Sequence, residues 1–212
     1  MSARKVEIVV TSTVVGQYEA RSYPHTPVDS TGYYNLYRVP VYKILVKGVD
    51  DVKQPQTKMF MAPRFMPYFN DPKNPDRGYK AKGWLNCGLS SARTVAVTRY
   101  IQNYEMHNRI SAYRGAIVVH QTFYIHPGPA TVCDYGFGSA GCIEIIGNFD
   151  VFKEAIASLS GITSGTSGDV IQKLVNDRKL IVIIETAPVP DIRNSFSRQV
   201  HGSQRFSGNC RQ

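Results

Sequence analysis

The chain predicts an α+β fold, strand-rich, with helices flanking the strands. Runs dense in β-branched residues fill the first half, among them Val6–Val15 and the stretch from Tyr33 to Lys47. Apolar residues at helical spacing cluster between Asn148 and Arg178. Turn formers separate these segments and no internal repeat is present, so strands and helices are expected to share one core. At 212 residues the chain is long enough to bury that core without staples. The expected organisation is one domain over residues 1–188 and a polar, basic tail over 189–212.

Val6–Val15 reads as the first strand. Thr26-Pro27-Val-Asp-Ser-Thr-Gly32 is a turn cluster, and Tyr33–Val39 and Val41–Lys47 follow as a strand pair. Lys58–Met61 is a short apolar piece. Ala62–Gly83, dense in Pro, Asn, Asp and Gly, predicts a long surface loop. Leu89, Ala92 and Val95 or Ala96 fall at helical spacing, which predicts a helix over Leu89–His107 with Ser90 or Ser91 as its cap. Gly115–Ile125 reads as one continuous β-run ending at His126-Pro127-Gly128, and Cys142–Ile146 as a second. Asn148 caps a helix over Phe149–Ser158, with Val151, Phe152, Ala155 and Ile156 turned inward. Gly161–Gly168 is a loop, Asp169–Arg178 a short helix on Ile171, Leu174 and Val175, and Leu180–Ile184 a buried strand.

Composition narrows the function classes. No run approaches the roughly 18 apolar residues of a membrane span. Glu7 and Thr11 interrupt the apolar start, so a Sec signal peptide is not expected. Net charge is +9, a balance that draws a protein to polyanions, yet no basic block of five residues concentrates it. Cys87, Cys133, Cys142 and Cys210 are too few for a disulfide scaffold, and no Cys-x-x-Cys pair suggests structural zinc. Cys133 and Cys142 are close enough in sequence to pair, which would silence Cys142 as a nucleophile.

The chemistry concentrates between His126 and Ile145. His126 precedes Cys142 by 16 residues across a loop of turn formers. Cys142 follows Ser139-Ala140-Gly141 and leads into an apolar run. A nucleophilic thiolate needs a base, an open approach and N–H donors for the oxyanion. His126 supplies the base, Gly141 permits close approach, and the N–H groups near Gly141 and Cys142 are candidate oxyanion donors. His120, Thr122, Tyr124 and His126 alternate in phase, which places His120 and Tyr124 on the same sheet face. Tyr33, Tyr34, Tyr113 and Tyr124 are candidates for a substrate groove.

His126 followed by Ser139-Ala140-Gly141-Cys142-Ile143 resembles the signature of the L,D-transpeptidase catalytic domain of the YkuD type. Thr26-Pro27 through Gly32-Tyr33-Tyr34 is similar to that family's Thr-Pro-x-Gly-x-Phe segment with insertions. The specific match covers about 20 residues, and a looser one runs from Thr26 to Leu159. The resemblance implies a strand-rich catalytic domain in which a backbone carbonyl orients the His, so no third acidic residue is required. It implies Cys142 as nucleophile, His126 as base, and Ser139 and Gly141 as parts of the catalytic turn. The substrate is expected to be a peptidoglycan stem tetrapeptide, contacted by Tyr124, His120 and Glu144, with no cofactor, no metal and no nucleic acid. Ala140 stands where the family has a second His, and Glu144 where it has Arg. Similar departures mark the L,D-transpeptidase-like toxins delivered by type VI secretion. That likeness implies manufacture in the cytoplasm, export without a Sec signal, action in a target cell's periplasm, and an immunity protein as partner.

Two other readings stay open. Trp84-Leu-Asn-Cys87-Gly-Leu, read as a helix opening, would place Cys87 at a helix N-terminus, where the dipole stabilises a thiolate. That order resembles papain-like peptidoglycan amidases and endopeptidases. The other is a non-enzymatic, basic, polyanion-binding module, built on the interleaved pairs Tyr37-Arg38, Tyr79-Lys80, Arg99-Tyr100 and Tyr113-Arg114.

Overall fold

The computed structural model describes residues 3–22, 33–70, 83–105, 114–135 and 139–201. The Thr26–Gly32 cluster, most of the Pro- and Asn-rich stretch, Tyr113 and Cys210 lie outside the described residues, as does the side chain of Tyr34.

A strand-rich α+β fold is what the residues form. Strand β1 (Val6–Arg21) pairs antiparallel with β2 (Tyr33–Val49) and parallel with β11 (Leu180–Ile184). Strands β3 (Pro55–Pro63), β6 (Arg93–Ala96) and β12 (Phe196–His201) complete a six-stranded sheet in the order β12-β2-β1-β11-β6, with β3 also on β2. A second sheet runs β10-β9-β8-β7, from β7 (Tyr100–Glu105), β8 (Arg114–His120), β9 (Phe123–Pro127) and β10 (Ile143–Ile145). A two-stranded ribbon joins β4 (Phe65–Asn70) to β5 (Gly83–Gly88).

Period-two burial along β1 and β11 explains how the large sheet finds its core. Val6, Ile8 and Val10 face inward with Leu180, Val182 and Ile184, all between 0% and 1% exposed. They form one cluster with Ile117, Ile125, Ile143 and Ile145 of the second sheet and with both helices. Helix α1 (Phe149–Leu159) opens on Asn148, whose side chain accepts from Asp150 N–H at 2.8 Å. Helix α2 (Ser167–Asn176) opens on a capping box of Thr166 and Asp169. Phe149, Phe152 and Ile156 are fully buried, each worth about 1.5–3 kcal/mol of apolar transfer.

Several expectations are corrected. The segment from Leu89 forms strands β6 and β7 instead of a helix. Its β-branched Thr94, Val95, Val97, Thr98 and Ile101 favour extended backbone, and β11 and β8 supply the edges they pair with. Tyr33–Lys47 is one strand: Pro40 sits where the outer neighbour of β2 changes from β12 to β3, so its missing N–H breaks no ladder. The beginning of the expected loop at Ala62 is β3 running into β4, because Ala62, Phe65 and Met66 are fully buried. The Gly115–Ile125 run is a hairpin, turned at Gln121–Thr122 with Gln121 at φ 45°. Val151 is exposed at 52%, and Phe149 and Leu159 face the core in α1. Part of the expected tail, Phe196–His201, pairs with β2.

Candidate active site

The parallel pairing of β9 and β10 builds the site. Ile143 stands opposite Ile125, Glu144 opposite His126 and Ile145 opposite Pro127. Parallel partners share a face, so His126 and Glu144 lie together, and Cys142, two residues before Glu144, continues that face beside Tyr124. With strands about 4.8 Å apart and about 6.6 Å per two residues, Cys142 and His126 sit diagonally, about 8 Å apart at the backbone. At rest the two side chains are not hydrogen-bonded to each other: His126 Nε2 is buried without a hydrogen-bond partner, and the Cys142 Sγ is turned to the Thr122 carbonyl.

His126 is fully buried, and its Nδ1 lies 2.7 Å from the Pro127 carbonyl. A carbonyl only accepts, so Nδ1 carries the proton and Nε2 is the ring's basic nitrogen. Tyr104 packs on this ring at 5.9 Å between centroids and on Tyr124 at 5.6 Å, edge-on. The sequence carries no signal for Tyr104 at this site, because the spacing over Leu89–His107 predicts a helix.

Cys142 is a free thiol, 6% exposed. Its Sγ reaches the Thr122 carbonyl at 3.7 Å and takes a hydrogen bond from the Tyr124 backbone. Burial pushes the thiol up to about 11, with the Glu144 charge and Cys87 adding in the same direction and the Tyr124 N–H opposing. Ser139, fully buried, accepts the Cys142 N–H on its Oγ at 3.1 Å. That donor is therefore engaged at rest, and of the expected oxyanion donors the Cys142 N–H is spoken for. Gly141 holds φ 89°, in the region that favours glycine.

Cys133 and Cys142, close enough in sequence to pair, do not. Cys133 is disulfide-bonded, while Cys87 and Cys142 are free. Cys87 is not at a helix N-terminus: it lies in β5, and burial raises its thiol instead of a dipole lowering it. His120 ends β8 opposite Phe123, and the hairpin turn with its register irregularity removes the single-strand phase that alternation with His126 predicts. Its Nδ1 is buried without a hydrogen-bond partner. Glu144 is fully buried beside His126.

Among the described residues no group of three or more His, Cys, Asp or Glu could hold a metal ion. No described helix is long and apolar enough to cross a membrane. A surface cavity of about 370 Å³ lies between the α1–α2 loop and α2, lined by Gly161, Thr163, Asp169 and Lys173, away from Cys142. No protein-family model, curated protein or solved structure matches the chain.

Proposed function

We propose that the chain is a cysteine acyl transferase or hydrolase of the L,D-transpeptidase type, acting on peptidoglycan stem tetrapeptides. The observation that carries this reading is the tautomer of His126. Its Nδ1–H is donated to the Pro127 carbonyl at 2.7 Å, which leaves Nε2 as the basic nitrogen, buried and without a hydrogen-bond partner at rest, on the strand that pairs with the one Cys142 leads into.

In the proposed reaction Nε2 of His126 takes the Cys142 thiol proton. The sulfur attacks the carbonyl carbon between the diamino acid and the terminal D-alanine, and a C–S bond forms. The tetrahedral oxyanion collapses, the C–N bond breaks, and His126 returns the proton to the departing D-alanine amine. Water or a second amine then attacks the thioester, its proton passes through His126, and the Cys142 thiol is restored. Water gives L,D-carboxypeptidase action; an amine gives exchange or cross-linking. Cys142 is buried at rest, so the stem peptide must displace what covers the sulfur. Ser139 and Gly141 shape the turn, and Tyr124 with Tyr104 forms an aromatic wall. In this reading the protein acts in the periplasm of a target cell as an antibacterial effector and is neutralised by an immunity protein where it is made.

The test is incubation with purified muropeptides and mass spectrometry of the products. Loss of D-alanine from tetrapeptides, abolished by Cys142→Ala and by His126→Ala, is the expected result. Unchanged muropeptides under reducing conditions would sink the proposal.

A further inference from the structure

Cys87 and Gly88, at the end of β5, lie flat against the catalytic turn. The Cys87 thiol donates to the Ala140 carbonyl at 2.8 Å. A Cβ on Gly141 would stand 2.5 Å from Cys87 C, 2.6 Å from Cys87 O and 2.6 Å from Gly88 N. That end of β5 is itself anchored. A Cβ on Gly88 would meet the Arg64 carbonyl at 2.2 Å, so the two backbones are in direct contact. The fully buried Arg64 guanidinium donates to the carbonyls of Thr11, Leu89 and Glu185 at 3.1, 2.5 and 2.9 Å. A rigid path thus runs from the large sheet through Arg64 to Cys87 and the Ser139–Cys142 turn.

A trans peptide unit points its C=O and its N–H in opposite directions. Fixing the Ala140 carbonyl toward Cys87 therefore fixes the Gly141 N–H on the other side of the same plane. Cys142 N–H is occupied by Ser139, so Gly141 N–H is the turn's remaining candidate for holding an oxyanion. Gly141, at φ 89°, is also the residue around which the unit would flip most readily.

We infer that Cys87 is a positioning residue: its thiol locks the Ala140–Gly141 peptide so that the Gly141 N–H faces the oxyanion that develops at Cys142. The inference rests on the proposed acyl-transfer function of Cys142. It replaces the reading of Cys87 as a nucleophile.

The experiment compares wild-type protein with Cys87→Ala and Cys87→Ser. Two readouts are taken: kcat and KM on tetrapeptide muropeptides, and amide hydrogen exchange over residues 139–142. The Ala variant should lose about ten- to hundredfold in kcat with KM little changed, because an oxyanion donor acts in the transition state. Its turn should exchange faster. The Ser variant keeps a donor for the Ala140 carbonyl and should recover most of the loss in both readouts. Wild-type kcat and exchange in Cys87→Ala would overturn the inference. A Ser variant as inactive as the Ala variant, with unchanged exchange, would also overturn it and make Cys87 the nucleophile. If wild-type protein leaves muropeptides untouched, the proposed function fails, and the exchange comparison alone still decides whether Cys87 holds the turn.

Discussion

Replacing Glu144 by Gln should move the two functions of the Cys142–His126 pair in opposite directions. Glu144 stands opposite His126 in register and two residues along the chain from Cys142. Strand geometry makes those separations about 4.8 and 6.6 Å at the backbone. At an effective dielectric near 20, a unit charge at each distance is worth roughly 3.5 and 2.5 kcal/mol. The carboxylate therefore repels a Cys142 thiolate and attracts a His126 imidazolium, and the attraction exceeds the repulsion by about 1 kcal/mol. Removing the charge frees the thiol from that repulsion. Taking half of the Cys142 value to allow for relaxation, alkylation at pH 8 should quicken about tenfold. Turnover passes through the thiolate–imidazolium pair and, with the same halving of the roughly 1 kcal/mol difference, should slow about twofold. The assay is iodoacetamide labelling, resolved by mass spectrometry of the Cys142 peptide, beside kcat on tetrapeptides. If labelling and turnover rise together or fall together, Glu144 does not act on the pair in this way.

Alkaline pH should weaken the fold. The Cys142 thiol is pushed from 9.0 to about 11 and the Tyr100 hydroxyl from 10.0 to about 12, both chiefly by burial. The folded state holds these protons more tightly, so the stability is complete below about pH 9 and is lost as pH climbs toward 12; Cys142 accounts for about 3 kcal/mol. Denaturant midpoints at pH 8 to 11 should fall, and less steeply in Cys142→Ala; an equal slope would refute the assignment. Arg64→Met should cost about 3 kcal/mol or more, since three carbonyls lose their donor, and a denaturation difference under 1 kcal/mol would contradict the anchoring role. Gly141→Ala should lower the melting temperature and stop turnover, because its Cβ would meet Cys87 and Gly88 at 2.5–2.6 Å and its φ is positive.

Period-two patterns and caps were legible in the sequence wherever local chemistry decides structure. Leu180–Ile184 is a strand because it is short, apolar and β-branched, and Asn148 caps the helix that follows it; Thr166, inside the stretch that reads as a loop, caps α2 and starts it two residues earlier than Asp169. Leu89–Glu105 was not legible. Its apolar residues fit a helix as well as strands, and the edges of β11 and β8, distant in sequence, decided between them. The same limit applies to the site. His126 and Cys142 stand out by spacing, whereas Tyr104 and Cys87 reach the site only through the second sheet and the β4–β5 ribbon. Nothing in the local residues announces an approach made by a different sheet.

Under the proposed function, the raised thiols and the disulfide-bonded Cys133 bear on one question, how a nucleophilic cysteine survives oxidation. Disulfides persist in oxidising surroundings, and the thiolate is the form lost to oxidation there. A cysteine enzyme with a preformed thiolate would be vulnerable in the same surroundings. Cys142, held up to about 11, is ionised on the order of one part in ten thousand at pH 7. Cys87 is raised as well. In the proposed function, burial would slow catalysis at rest and protect the nucleophile at the same time. The thiolate need only exist when substrate is bound and His126 takes its proton, with the imidazolium so formed lying beside Glu144. A buried carboxylate at that position, poorly suited to a resting thiolate, suits a thiol that is activated on demand.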